Sequence, residues 1–331
     1  MPCDSRNDYS IGMIAKREGF LPDTVKPGAL AAFDSQESMM KVVLFCGGLG
    51  MRLRDYADDV PKPMVPLGYR PILWHVMKYY AHFGFKDFIL CLGYRGDLIK
   101  NYFLNYEEAV TNDFILSDGG RKRELINSDI EDWRITFVET GYKANLGERL
   151  MAVKPYLEGE EMFLANYSDG ITDLPLPQYL DFFRANDAVA SFVSVPPNVS
   201  YHFVTADESG AVTSIRDIVQ SGLRVNAGYF AFRKEIFDYM RPGEELVLEP
   251  FTRLMADQKL LAYSYDGFWL PMDTAKDKKR LDDLHEAGNP PWYVWQHAST
   301  RPSLTLHDGR VHVPAGEAKA AVPETKAVAS G

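Results

Sequence analysis

The first strong feature along the chain is the apolar run Lys41–Cys46 (KVVLFC), which breaks at once into glycines. A short run rich in β-branched residues and ended by glycine predicts a buried strand. Helical periodicity follows over Ile72–Phe83, then an apolar strand at Asp87–Leu92 and a helix at Leu98–Tyr106. Trp133–Val138 reads as a strand, Leu146–Tyr156 as a helix, and Met162–Ala165 as a strand running into a polar turn. Strands alternating with helices need crossover connections, which predicts a mainly parallel sheet. Ligands on such sheets sit at the carboxyl ends of strands, and both the glycines after Cys46 and the turn after Ala165 lie there.

From Ala188 the pattern changes to short β segments at Ala188–Val195, Val212–Ile215, Val225–Phe232 and Leu260–Tyr265, with a helix at Leu248–Gln258 between them. This half reads as more mixed, laying an acceptor site against the first half, and Ala275–Ala287 predicts a closing helix. Residues 1–40 are aperiodic and read as an N-terminal extension. The stretch 298–331, rich in Ala, Pro, Ser and Lys, reads as a disordered tail. Residues 41–297 are then the folded unit.

Composition narrows the function. The net charge of −10 argues against a nucleic-acid partner, which wants a broad basic face. It leaves nucleotides open, because a small pocket can be locally basic. No run approaches the ~20 apolar residues of a membrane helix, and the N-terminus lacks a secretory pattern, so a cytoplasmic protein without a membrane partner is expected. Cys3, Cys46 and Cys91 have neither metal-ligand spacing nor a disulfide framework. Cys46 and Cys91 end apolar runs and read as buried thiols. His75, on an apolar helix, reads as a packed residue.

Gly47-Gly48-Leu49-Gly50-Met51-Arg52-Leu53 follows the first strand directly. Glycines let backbone N–H groups approach phosphate oxygens, and Arg52 adds a charged fork suited to phosphate. It is neither a Walker motif nor a dinucleotide fingerprint, and a structural turn with an incidental arginine is the competing reading. Pro61-Lys62-Pro63 follows about ten residues later. The two prolines confine the Lys62 backbone to extended conformations, so a stiffened cation lies close in sequence to the loop.

Two acids complete the set. Asp169, within Tyr167-Ser168-Asp169-Gly170, stands where the 162–165 strand runs out. It suits Mg²⁺, a hard cation, or a plain Asp-Gly turn. Asp273 suits the same metal, or caps the helix beginning near Ala275.

In this order the pieces resemble the sugar-1-phosphate nucleotidyltransferases, and within them the glucose-1-phosphate cytidylyltransferases. The likeness is carried by GGLGMRL at 47–53, PKPM at 61–64, PILWHVMKYY at 71–80 and KDFILCLGYRGDLIKNYF at 86–103. ETG at 139–141, GERL at 147–150, YSDG at 167–170, NAGYF at 226–230, LEPF at 248–251 and GFWLPMDT at 267–274 continue it. The resemblance implies a Rossmann-like α/β fold: a mixed, mainly parallel sheet flanked by helices, with a β-rich acceptor-binding second half and homo-oligomeric assembly. It implies transfer of CMP from CTP to a sugar 1-phosphate with Mg²⁺. Gly47, Gly48, Leu49, Gly50, Met51 and Ser168 would bind the nucleotide, with Arg52 and Lys62 catalytic. Gly147 and Glu148 would lie near the base or ribose, and Asp169 and Asp273 would hold the metal. Asn226, Gly228 and Glu249 would face the acceptor.

Two departures from the family pattern stand out. Met51 replaces a small hydroxyl residue. Arg216-Asp217-Ile218 stands where the family has Glu-Lys-Pro, and Asp217 in place of a lysine would repel an acceptor phosphate. Either Arg216 or Arg224 takes over that contact, or the acceptor differs. Transfer to another phosphorylated metabolite, or a catalytically silent nucleotide-sugar regulator, are the alternatives.

Overall fold

The computed structural model describes residues 40–48, 60–198 and 201–296, together with two short strands at 305–307 and 310–312. Its centre is one seven-stranded sheet. The strands are β1 (Lys41–Phe45), β2 (Asp87–Leu92), β3 (Arg134–Glu139), β4 (Met162–Asn166), β5 (Ala190–Val195), β6 (Val225–Arg233) and β7 (Leu260–Ser264). Their order across the sheet is β7-β5-β6-β4-β1-β2-β3. β1 pairs in parallel with β2 and β4, β2 with β3, and β5 with β7. Only β6 runs antiparallel, to β4 and to β5. The sheet is therefore mixed and mainly parallel, and three of the four β segments expected in the second half complete it.

Strand alternation sends successive side chains to opposite faces, and two cores form accordingly. Val42 and Leu44 of β1 join Phe88, Leu90 and Leu92 of β2 on one face. That face is covered by α1 (Ile72–His82), α2 (Gly96–Leu104), α4 (Leu176–Arg184) and α6 (Ala275–Glu286). Val43 and Phe45 join Ile89 and Cys91 on the other, under α3 (Leu146–Val153) and α5 (Glu249–Ala256). Cys46 falls into the first core and Cys91 into the second.

Several boundaries differ from the sequence reading for local reasons. The helix expected over 146–156 is α-helical only to Val153, continuing as a 3-10 turn at Lys154–Leu157, because Pro155 has no N–H to donate. The segment Val212–Asp217 pairs with His202–Ala206 as an exposed ribbon outside the main sheet. Helix α4 was not anticipated. Within the stretch read as a tail, Thr305–His307 pairs antiparallel with Arg310–His312; an Asp-Gly dipeptide separates them in sequence, a strong hairpin signal that composition alone does not reveal. The rest of that tail and the extension at 1–39 lie outside the described residues. Among the described residues no helix is long and apolar enough to cross a membrane.

His75 is buried, and burial lowers its pKa to about 4 although its bond to Leu67 opposes this. Nε2–H donates to the Leu67 carbonyl oxygen at 2.9 Å. Burial likewise pushes the Cys46 thiol up to about 12, against the hydrogen bond of Ser168 and the charge of Arg149, and raises Cys91 well above its ordinary value. Because the thiolate is the reactive form, neither cysteine should react with a thiol reagent near pH ~8 while the protein is folded. Both should label on unfolding; peptide mass spectrometry of alkylated protein measures this, and fast native labelling of either would contradict the burial described.

Candidate functional site

The sheet gathers the conspicuous polar residues at the carboxyl ends of β1 and β4. Asn166, the last residue of β4, is buried between β1 and β6, opposite Leu44 and Tyr229. Its Oδ1 accepts from the Ser168 N–H at 2.7 Å, which closes the turn and supports the left-handed Ser168 backbone (φ +65°). Ser168 Oγ–H donates to the Phe45 carbonyl at 2.8 Å, so the turn after β4 is tied to the end of β1. Asp169 then projects from this fixed corner.

Asp273 arrives by a different route. Gly170–Thr172 pairs antiparallel with Trp269–Pro271, and the Met272 N–H donates to the Asp169 carbonyl oxygen at 2.8 Å. This ribbon brings Asp273 beside Asp169. Asp273 does not cap α6: Thr274 does, in a reciprocal capping box with Asp277. The carboxylate is thereby left for other partners.

Lys62 comes from a third segment. Pro61, extended at φ −64° and ψ 146°, leads into a 3-10 turn over Lys62–Met64, so it is Pro61 that is extended while Lys62, against the expectation from its flanking prolines, begins the turn. Lys62 Nζ donates to Asp169 Oδ2 at 2.7 Å and to Asp273 Oδ1. Side-chain exposures of 15% for Lys62, 24% for Asp169 and 41% for Asp273 leave Asp273 as the open edge of the triad. Burial works against the Lys62 ammonium, but the two carboxylates outweigh it and its pKa stands above the ordinary lysine value. For Asp169, burial raises the pKa, opposed by the charge and hydrogen bond of Lys62, and the net direction is upward.

The glycine turn begins on the same edge. Gly47 is buried and Gly48 exposed. Leu49, Gly50, Met51 and Arg52 lie outside the described residues. Behind Gly47 sits the buried Arg149 of α3, whose Nη2–H donates to the Gly47 carbonyl at 3.0 Å. Its Nη1–H groups donate to Leu92 O at 3.1 Å and to Thr140 Oγ1 at 2.7 Å. Arg149 appears in the sequence only as one letter of GERL, and Asn166 falls one residue beyond the expected strand; a buried arginine close to glycines becomes visible once the strands are aligned.

Gly147, two residues before it, packs where a Cβ would lie 2.2 Å from the Glu244 carbonyl oxygen, and Glu148 completes a capping box with Asn145. Beside the β4 turn, Asn226 Nδ2–H donates to the Tyr167 hydroxyl at 3.1 Å, and Asn226 Oδ1 accepts from Gly228 N–H at 2.8 Å. Gly228 has φ +76°, and a Cβ there would lie 2.3 Å from the Tyr167 ring. Glu249 is exposed at the start of α5 and accepts from Glu245 N–H at 3.2 Å. Arg216 lies on the exposed ribbon, donating to Ser214 Oγ within its own strand. Arg224 is held by the Ser194 and Tyr265 carbonyls, each at 2.7 Å, and by Asp266 at 2.7 Å.

Thus Gly47, Ser168, Lys62, Asp169 and Asp273 share one strand-end corner, with Asn226 and Gly228 joined to it through Tyr167. Asp169 and Asp273 offer hard oxygen donors, and the ammonium between them occupies the position a cation would take. The pair therefore suits Mg²⁺. Among the described residues no set of three acidic, His or Cys side chains converges.

An α/β sheet with a glycine turn and a lysine–carboxylate cluster at its strand ends defines an enzyme scaffold of the nucleotide-handling class. The chain belongs to the nucleotidyl transferase family, whose profile matches residues 41–277. It is 37% identical over 261 residues to a glucose-1-phosphate cytidylyltransferase of Salmonella typhi, covering 78% of this chain and all of that protein. It is 33% identical over 258 residues to a probable glucose-1-phosphate cytidylyltransferase of Bacillus subtilis, covering 77% and 100%. The fold is also that of a putative glucose-1-phosphate thymidylyltransferase from Bacillus anthracis, with TM-score 0.54, 15% identity, and coverage of 76% of this chain and 96% of that one.

Two outcomes follow from the geometry. Gly147→Ala should cost about 1–3 kcal/mol through overlap with backbone, whereas Gly48→Ala, where an added Cβ meets nothing within 4 Å, should stay within about 0.5 kcal/mol of the parent; denaturant unfolding compares them. Lys62→Met removes the charge that restrains Asp169, raising its folded pKa further above the unfolded value. Stability from that group is then fullest while it is protonated and is lost as pH rises through the folded pKa. The variant's Tm, measured against the parent's, should fall as pH rises above the unfolded carboxyl value of about 4; a constant difference would disprove the coupling.

Proposed function

We propose that the chain transfers CMP from CTP to a sugar 1-phosphate, glucose 1-phosphate or a relative, forming a nucleotide sugar and pyrophosphate with Mg²⁺. The observation that carries this reading is the meeting of Lys62, Asp169 and Asp273 beside the glycine turn. An oxygen of the acceptor phosphate attacks the α-phosphorus, a new P–O bond forms, and the bond to the pyrophosphate oxygen breaks. The attacking phosphate is already ionised, so no general base is required. The difficulty is bringing two anions together, and positioning with charge stabilisation supplies the remedy. Lys62 would meet the α-phosphate, backbone amides of the glycine turn would hold the remaining phosphates, and Arg52 would assist them. Asp169 and Asp273 would hold Mg²⁺, which when bound neutralises phosphate charge. Gly147 and Glu148 would lie toward the base or ribose. Asn226, Gly228 and Glu249 would face the acceptor's hydroxyls. The choice of CTP and glucose 1-phosphate rests on the relatives' names, and homo-oligomeric assembly in the cytoplasm on the family's habit.

One feature favours a second reading, transfer to a different phosphorylated acceptor. Arg224 is already held by two carbonyls and Asp266, and Asp217 accepts from Val219 N–H at 2.9 Å on the chain where the family carries its acceptor lysine.

Pyrophosphate release across a panel of NTPs and sugar 1-phosphates tests both readings. The expected result is Mg²⁺-dependent release with CTP and a hexose 1-phosphate. Release only with other acceptors selects the second reading, and release with none defeats transfer altogether. Lys62→Ala should lower turnover by about a hundredfold or more with an unchanged circular dichroism spectrum, and Asp273→Ala should raise the Mg²⁺ needed for half-maximal rate.

A further inference from the structure

We propose that Arg149 is a positioning residue for the nucleotide: it fixes the Gly47–Gly48 peptide so that the Gly48 N–H faces the triphosphate. The proposal rests on the nucleotide reading above. Arg149 is 4% exposed, and the partners of its guanidinium among the described residues are the Gly47 carbonyl, the Leu92 carbonyl and the Thr140 hydroxyl. None is a carboxylate. A merely architectural arginine is more often paired with an acid, since a buried charge is costly when it is not.

The geometry gives this charge a direction. In a trans peptide the C=O and the following N–H point oppositely. The Gly47 carbonyl points at Arg149, so the Gly48 N–H points away from it. Gly48 is exposed, and a Cβ added there would meet nothing within 4 Å, so the residue is open to an approaching ligand. Cβ atoms on Gly47 and Gly93 would come within 2.0 and 2.8 Å of the guanidinium, so a side chain at either place would displace it. Both strand-end turns are therefore shaped around it. An arginine does not lose its proton in a protein, so the cation behind the turn also projects a field through a medium of low dielectric toward an arriving anion. The same side chain reaches Thr140 and belongs to α3, linking the phosphate turn to the segment carrying Gly147 and Glu148.

The test compares the full-length parent with Arg149→Met, Arg149→Lys and the milder Thr140→Val, the last chosen because it removes one partner and keeps the charge. Calorimetric titration with CTP and with CMP separates the outer phosphates from the rest of the nucleotide. In Arg149→Met the Kd for CTP should rise roughly ten- to a hundredfold, with that for CMP changing by less than about threefold. Arg149→Lys keeps the charge without the fork and should fall between, with Thr140→Val nearest the parent. Amide exchange without nucleotide should quicken at Gly48 in Arg149→Met and not in the centre of β4. Equal weakening of CTP and CMP in folded variants, unchanged CTP affinity, or unchanged exchange at Gly48 would overturn the proposal. Absence of CTP binding by the parent would overturn the nucleotide reading as well, and the exchange result would still report whether Arg149 fixes the turn.

Discussion

The corner at the ends of β1 and β4 depends on one balance of charge: a half-buried lysine held between two aspartates from separate parts of the chain. Lys62 follows Pro61 on the way to α1, Asp169 follows β4, and Asp273 precedes α6. Each charge is costly away from water and tolerable beside its opposite. The sheet register, the Gly170–Thr172 pairing and the Ser168 bond to β1 therefore have to agree for the cluster to exist. Removing Lys62 leaves two partly buried carboxylates without their counterpart, whereas removing either aspartate leaves a one-to-one pair.

The surrounding structure keeps that agreement rigid from behind. Asn166 and Ser168 fix the β4 turn through backbone groups, while Arg149 fixes the β1 and β2 turns through carbonyls. The glycines at these places do different things. Gly47 and Gly93 make room for a guanidinium, Gly147 for a carbonyl, and Gly228, in the left-handed region, for the Tyr167 ring. A sequence shows only that glycine is present; which neighbour excludes a Cβ is a property of the packed chain.

The sheet was legible because its apolar runs are short, alternate with helical periods and end at glycine or a polar turn. Helix α4 was equally patterned, with Leu176, Tyr179, Leu180 and Phe183 at helical spacing and all buried, but Pro175 and Pro177 obscured it; proline is readily accepted in a first helical turn. The charged triad was legible as three separate candidates. Its geometry was not, because Asp273 reaches Asp169 through a two-stranded ribbon spanning about a hundred residues of sequence, a pairing no local pattern encodes. Thr274 as the helix cap, and not Asp273, also required the bond itself to be seen.

On the proposed reading an acidic chain would receive an anion here, and the distribution of charge allows it. The triad by itself carries one cation and two carboxylates, a net negative corner, so a polyphosphate would be repelled unless positive potential came from elsewhere. Arg149 lies directly behind the neighbouring glycine turn, bonded to neutral oxygens, and its field is not cancelled by a bonded acid among the described residues. The two aspartates in turn favour a metal ion, which would reverse the sign of their end of the corner. On the proposed reading the fold separates two tasks: the glycine-turn amide backed by a buried arginine would face the phosphates on one side, and the carboxylates restrained by Lys62 would hold a cation on the other. Since neither side requires the surface to be basic, the overall charge of −10 is compatible with a phosphorylated ligand while still opposing nonspecific polyanions.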